Sequence, residues 1–267
     1  MCLDALESAI SADRANGLVP FLIGASAGTV DIGAIDDLSA TADIAARERI
    51  WLHVDGAYGA LGMLAPDIAP RLRGIERADS LAFDFHKWGQ VPYDAGFIMV
   101  RDGNLQRETF ASQAAYLSHQ RRGMAAGDWW PCDYGPDLSR SFRALKTWFT
   151  FMVYGSDALG ATISRTCALA AELARMVEAN PELELLAPVQ LNIVCFRYRS
   201  EDADTLNTRI VGDLQEGGIV APSLTTIGGR VAIRAAIVNH RTEMRDLEAL
   251  INGTLALGRA GAERGTR

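Results

Sequence analysis

The amino-acid sequence predicts an α/β unit built on a mostly parallel sheet, followed by a smaller α+β unit. Three observations carry this. Strand and helix patterns alternate through the first hundred or so residues, IWLHVD is apolar without alternation, and the pattern turns to a helical period from Ser139 onward. A strand that is apolar throughout suits burial on both faces, which is the situation of a parallel strand with helices above and below the sheet.

Leu3, Leu6 and Ile10 mark one face of an opening helix, the Asn16-Gly17 pair stops it, and LVPFLIGA reads as a short buried strand. Asp36 is placed to cap a second helix, DLSATADIAARER, which leads into IWLHVD. Strand, helix and strand in that order imply a parallel crossover. A helical stretch around PDIAPRLRGIE precedes the strands DSLAFD and AGFIMV. SRSFRALKTWFTFMVYG opens a helical region that SDALGATISRTCALAAELARMVEAN continues until Pro181. Strands at LNIVCFRY and RVAIRAAI, with helices DTLNTRIVGDLQE and EMRDLEALINGTLAL, complete the α+β unit. The change of pattern sets a boundary near Gly155 and so units 1–155 and 156–267, with the small, charged GRAGAERGTR expected to fray.

Composition narrows the function. Against 33 Asp+Glu stand 26 Lys+Arg in 267 residues, a net charge of −7 that argues against non-specific nucleic-acid binding. A content of 49% hydrophobic and 22% charged residues fits a globular chain with a sizeable core and excludes a disordered one. Cysteines at 2, 132, 167 and 195 show no C-x-x-C spacing, so neither a metal knuckle nor a disulfide framework is expected, and a reducing cytoplasm is. MCLDALESAISADRANG has no basic leading region, and the longest apolar runs fall short of the roughly 18–20 residues of a membrane span.

Two strand ends carry the chemistry. Asp55 closes IWLHVD, and open α/β sheets present ligands at the carboxyl ends of their strands. Alone it reads as a cap or turn acid, but Gly56, Ala57 and Gly59 leave little side-chain volume beside it, which suits close approach of a flat ligand. Thirty-two positions later SLAFDFHKWGQ places His86 and Lys87 among Phe83, Phe85 and Trp88. Apolar surroundings lower the pKa of an ammonium and supply the neutral amine that a Schiff base requires. The other reading is a lysine whose stem lies over Trp88 with its charge in water. An amine and a carboxylate converging on one crevice match what pyridoxal phosphate needs, one for its aldehyde and one for its ring nitrogen.

PFLIGASAGTVDIGAIDDL, WLHVDGAYGA, ADSLAFDFHKW and SRSFRALKTWF, in this order, resemble the pyridoxal-phosphate-dependent group II amino-acid decarboxylases, the family of aromatic-amino-acid, histidine and glutamate decarboxylases. The resemblance covers nearly the whole chain and corresponds to the second part of the family's large domain and its C-terminal domain. It implies a fold-type I PLP-dependent transferase architecture and decarboxylation of an L-amino acid to an amine and carbon dioxide. By the same resemblance Lys87 is the Schiff-base lysine, Asp55 the partner of the pyridinium nitrogen, Ala57 a contact on the ring face and His86 a neighbour of the phosphate. Read alone, His86 is equally a core histidine. Ser26 resembles the small hydroxyl residue near the ring, where the other reading is a local turn bond.

Tyr116 lies in ETFASQAAYLSHQRRGM, which reads as an exposed loop. The resemblance implies that it reaches the neighbouring subunit's site and returns a proton to carbon, so that the enzyme is a homodimer with shared active sites. His119 in the same loop either assists that transfer or is simply solvated. Arg234 matches an arginine that holds a substrate carboxylate in some members, or else forms a structural ion pair. Two departures stand out. The family's N-terminal segment, source of phosphate-binding groups and of a histidine stacked on the ring, has no counterpart in these 267 residues. Asp84 stands where several relatives place an amide near the phosphate, so its carboxylate is expected to face elsewhere. The alternatives to simple decarboxylation are an aldehyde-forming decarboxylation with oxidative deamination, and a non-catalytic remnant or subunit.

Overall fold

The computed structural model describes residues 1–111, 119–124, 126–127 and 129–265. Helix α1 (Leu3–Ala15) buries Ile10 and lays Leu3 and Leu6 on the first core, and Gly17, at φ 76°, turns the chain away. Strand β1 (Leu22–Ser26) follows. It buries Ile23 and Ala25 but exposes Leu22, the alternation of a strand at the sheet's margin rather than of one covered on both faces. Helix α2 (Leu38–Glu48) packs on β1 and on β2 (Trp51–Asp55). Its cap is Asp37, whose carboxylate accepts the Ala40 N–H at 3.0 Å, and not Asp36, which instead accepts the Ser26 N–H at 2.8 Å. Of two adjacent aspartates, the one whose oxygen meets an N–H of the first turn becomes the cap.

The expected helix around PDIAPRLRGIE is replaced by three short 3-10 turns, Ala60–Leu64, Ala69–Leu72 and Ile75–Arg77. Pro66 and Pro70 withhold N–H groups a continuous α-helix would need. Gly74 sits at φ 100° with Ser39 N 2.5 Å from where a Cβ would be, so a side chain there has no room.

Strands β3 (Ser80–Asp84) and β4 (Gly96–Val100) complete a sheet ordered β1-β2-β3-β4, in which the first three are parallel and β4 runs antiparallel to β3. Helix α3 (Gly103–Phe110), which the sequence pattern did not signal, starts on Asp102, whose carboxylate accepts the Asn104 N–H at 2.9 Å.

Helix α4 (Arg143–Glu178) is interrupted at Gly155, where φ is 77° and the backbone is not helical. After that point Leu159, Ile163, Cys167, Ala170, Leu173, Ala174 and Val177 are buried at helical spacing, while before it Trp148, Phe149, Met152 and Val153 lie exposed. The remaining elements are β5 (Leu183–Leu185), β6 (Ile193–Tyr198), α5 (Ala203–Glu216), β7 (Ser223–Ile227), β8 (Arg230–Ala236) and α6 (Met244–Gly265). They form an antiparallel sheet ordered β5-β6-β8-β7 against which α4, α5 and α6 pack. Helix α6 continues to Gly265, into the stretch expected to fray.

A third apolar cluster joins the two sheets, with Tyr58, Leu61 and Trp88 from the first half packed on Ile163, Cys167, Leu191, Ile193 and Cys195 from the second. No described helix is long and apolar enough to cross a membrane.

Candidate active site

Ser26, Asp55 and Asp84 are the last residues of β1, β2 and β3, so three polar side chains collect along the carboxyl edge of the parallel strands. The register sets Ser26 beside Asp55, and Asp55 beside Ala82. Adjacent strands lie about 4.8 Å apart, a spacing on the scale of one aromatic ring.

Asp55 is exposed, and its carboxylate accepts the Ala57 N–H at 3.0 Å, its single hydrogen bond among the described residues. One oxygen thus stabilises the turn and the other remains open. Ala57 is half-buried on that turn. The neighbouring glycines have a packing reason that the sequence reading did not credit. A Cβ at Gly56 would stand 2.5 Å from Ala60 Cβ, and one at Gly59 would stand 2.4 Å from Ala27 O. Ser26 donates its backbone N–H to Asp36 and accepts the Asp36 N–H at 2.9 Å, while its hydroxyl makes no hydrogen bond among the described residues.

Lys87 lies in the tight turn after β3, where Gln90 N donates to Lys87 O at 3.2 Å and Val91 N to Phe85 O at 3.2 Å. The expectation of an amine deep in apolar surroundings is corrected here. The Lys87 side chain is 33% exposed, and its Nζ stands 2.7 Å from Asp84 Oδ2. The aromatic neighbours pack with one another instead: Trp88 is buried against Tyr58, and Phe83, Phe85, Phe97 and Phe151 form edge-on and tilted contacts. Asp84, 20% exposed, faces the lysine.

His86 accepts the Ala95 N–H on Nδ1 at 3.0 Å and stacks on Tyr93 with ring centres 3.9 Å apart. A neutral ring accepting on Nδ1 carries its proton on Nε2, the atom 3.7 Å from Asp84 Oδ2. A cavity of about 930 Å³ opens beside this turn, bounded by Phe85, Ala95, Phe97, Trp129, Trp148 and Phe151.

Tyr116 lies outside the described residues. His119 is not a freely solvated side chain: Nδ1 meets Gly127 O at 2.6 Å, Nε2 meets Asp133 Oδ2 at 2.9 Å, and the ring stacks on Trp130. The Gly127 carbonyl, then Asp133, raises its pKa above the ordinary histidine value.

Arg234 forms no ion pair among the described residues. Its guanidinium donates to Asp31 O at 3.0 Å, to Val30 O at 2.5 Å and to Ser223 Oγ at 3.3 Å, clamping the turn after β1 to β8.

Sequence reasoning missed one useful signal. Of all basic residues only Lys87 and Lys146 are lysines, so an amine needed for imine chemistry had two addresses from the start. Lys146 lies on α4 at 3.9 Å from Asp94.

The donor set, an open carboxylate at the end of β2 and an amine in the turn that follows the neighbouring parallel strand β3, has the chemistry to hold a flat heteroaromatic group bearing an aldehyde and a basic ring nitrogen. The comparison with known proteins decides the family. The model of the pyridoxal-dependent decarboxylase conserved domain matches residues 1–199. The chain belongs to that family.

It is 36% identical over 251 residues to an aromatic-L-amino-acid decarboxylase of Bacillus atrophaeus, covering 92% of this chain and 52% of the relative. It is 35% identical over 242 residues to a histidine decarboxylase of Drosophila melanogaster, covering 91% of this chain and 28% of the relative. Among solved structures it is similar to Oryza sativa TDC with PLP and tryptamine, with a TM-score of 0.90 at 28% identity over 98% of this chain and 55% of that one. The glutamate decarboxylase domain from Vibrio parahaemolyticus superposes with a TM-score of 0.82 at 32% identity, over 97% and 51% of the two chains. The fold-type I architecture expected from the motifs is therefore the fold of this chain, which spans about half the length of these solved structures and of the Bacillus relative.

Proposed function

We propose that this chain serves in pyridoxal-phosphate-dependent decarboxylation of an L-amino acid, giving the corresponding amine and carbon dioxide. The observation that supports the reading is that Asp55 closes β2 while Lys87 lies in the turn that follows the adjacent parallel strand β3. Pyridoxal phosphate, when bound, supplies an electron sink for the pair left on the α-carbon as the carboxylate departs.

The protein's part is then to hold, orient and move protons. Lys87, paired with Asp84 in this structure, would hold the cofactor through its aldehyde. Asp55, one oxygen fixed by the Ala57 N–H, would hold the cofactor's ring nitrogen in its protonated form through the other. Ala57 would leave room for the cofactor ring, Ser26 stands beside Asp55 in the register with its hydroxyl unbonded among the described residues, and His86, its Nδ1 taken by the Ala95 N–H, would neighbour the phosphate. Tyr116 returns a proton to the carbon that lost its carboxylate, at the site of a neighbouring subunit, which makes a cytoplasmic homodimer part of the proposal. Arg234, held by two backbone carbonyls, anchors the turn after β1 in this reading rather than a substrate.

Incubation with pyridoxal phosphate followed by borohydride tests the assignment, since only two lysines compete. The expected result is a pyridoxyl adduct on the Lys87 peptide, absent from Lys87→Met. Capture at Lys146 alone, or at neither lysine, refutes it. Carbon dioxide without ammonia or peroxide, in a screen of amino acids, separates decarboxylation from the aldehyde-forming route. That route is the second reading because the chain is also similar to Rhodiola rosea 4-hydroxyphenylacetaldehyde synthase, with a TM-score of 0.85 at 27% identity. The tyrosine at position 116 favours the first. A protein that binds no cofactor under these conditions is the non-catalytic alternative.

A further inference from the structure

Asp84 is framed on both of its oxygens. In the β3–β4 register it lies opposite Gly96, and a Cβ built on that glycine would stand 3.2 Å from Asp84 Oδ1, so the bare glycine leaves the carboxylate room to turn. The other oxygen points along the chain to Lys87 Nζ at 2.7 Å, with His86 Nε2 at 3.7 Å. The carboxylate is 20% exposed and has no other ion-pair partner among the described residues. The spacing of three residues and the turn after β3 direct both side chains to the same side, so the pair is built into the local backbone. A separation of 2.7 Å is at the short end for a charge-assisted hydrogen bond.

We propose that Asp84 is a positioning residue for the attachment lysine: it is the counter-ion that parks Lys87 as an ammonium at the strand tip while no aldehyde is bound. This rests on the reading of Lys87 above. To engage a carbonyl the ammonium must first leave the carboxylate and give one proton to solvent. The freed amine lone pair then forms the carbon–nitrogen bond, and the carbonyl oxygen departs as water. Asp84 sets the threshold for that first event. A carboxylate at this position therefore makes cofactor loading slower and salt-sensitive.

The test uses the full chain without cofactor and reads each lysine separately. Trinitrobenzenesulfonate arylation at fixed pH, followed by peptide mass spectrometry, gives the ratio of Lys87 to Lys146 labelling within one sample. Asp84→Asn, nearly isosteric, is expected to raise that ratio about two- to fivefold, the range an ion pair of this exposure supports. Asp84→Glu, which restores the charge, is expected to bring it back toward the wild-type value. In the wild type alone, raising the salt from low to molar concentration is expected to raise the ratio, because a screened pair holds less tightly, and this needs no variant to fold. An Asp84→Asn ratio equal to or below wild type, or a wild-type ratio indifferent to salt, overturns the proposal. Pyridoxal-phosphate trapping in the same proteins separates the two claims. If the arylation ratio moves but neither lysine ever captures the cofactor, the functional reading fails and the counter-ion stands. If Lys87 captures the cofactor at equal rates in wild type and Asp84→Asn, the counter-ion fails and the functional reading stands.

Discussion

Removing the hydroxyl of Tyr58 isolates the hydrogen bond that ties the Asp55 turn to the second half of the molecule. Tyr58 is buried, its O–H donates to Asn192 Oδ1 at 2.9 Å, and Asn192, with no exposed surface, donates Nδ2 to Ile237 O at 2.8 Å. Burial pushes the Tyr58 phenol well above its ordinary pKa, so it remains a donor into the alkaline range. In Tyr58→Phe the ring keeps its place 5.5 Å from Trp88, but Asn192 Oδ1 is left without a partner in a dry site. A buried acceptor left unpaired costs about 1–3 kcal/mol.

Asn192→Ala removes two bonds, strands the Tyr58 hydroxyl and opens a small void, so about 2–4 kcal/mol is expected. In the double variant there is no hydroxyl left to strand. Its cost is expected to fall short of the sum of the single variants by roughly 1 kcal/mol, the signature of direct contact. Urea unfolding followed by circular dichroism supplies the three differences, and thermal midpoints are expected to fall by roughly 2–4 °C per kcal/mol at this chain size. A Tyr58→Phe midpoint equal to wild type, or strictly additive variants, would refute the reasoning.

Two further outcomes follow from close packing and from one histidine. Gly160→Ala would put a Cβ 2.1 Å from Leu64 O, so α4 must move off the 3-10 turn beneath it, at a cost of about 1–3 kcal/mol or more; an unchanged urea midpoint would contradict this. His119, with its pKa raised by the Gly127 carbonyl and then by Asp133, contributes stability that is complete below the ordinary value near 6.5 and is lost as pH rises through the higher folded value. Following the ring protons by NMR in wild type and Asp133→Asn checks the sign: the variant is expected to titrate lower, and an equal midpoint in both would remove Asp133 from the account.

The parallel strands and their chemistry were legible because each signal was local. IWLHVD announced a parallel strand by its apolar character, although its burial alternates, with Leu52 and Val54 buried and Trp51 and His53 half-buried; Asp55 closes that strand, and Lys87 lies three residues past the end of β3. What escaped depended on partners far away in sequence. β5 is three residues long, and β7, SLTTI, is polar and mostly exposed, so neither carries a burial pattern of its own; both exist because β6 and β8 offer ladders. Gly56 and Gly59 looked like clearance for a ligand, whereas Ala60 and Ala27 O, across a turn and a strand, account for them. The burial argument for Lys87 assumed that flanking aromatics enclose the lysine, and they pack on one another. The apolar neighbours that flank Lys87 in sequence do not enclose its amine; its near neighbour is a carboxylate three positions earlier, a pairing the sequence pattern did not signal.

The rigidity of the candidate site comes from outside it. The turn after β1 is held by Arg234 from β8, by the Ile35 N–H donating to Gln190 Oε1 at 2.6 Å and by Leu191 beneath Gly28. The turn after β2 is held by Asn192 through Tyr58 and by the contact of Gly59 with Ala27 O. Gln190, Leu191 and Asn192 are three consecutive residues leading into β6, so one short segment of the second sheet sets the positions of both turns that carry Ser26 and Asp55. A side chain held by a supporting layer of this kind keeps its orientation at little entropic cost when a ligand arrives. Substitutions at 190–192 therefore act on the site from a distance: they loosen Asp55 and Ser26 together, and through Leu191, which shares an apolar cluster with Tyr58 and Trp88, they reach the Lys87 turn as well, though that turn also has backbone bonds of its own.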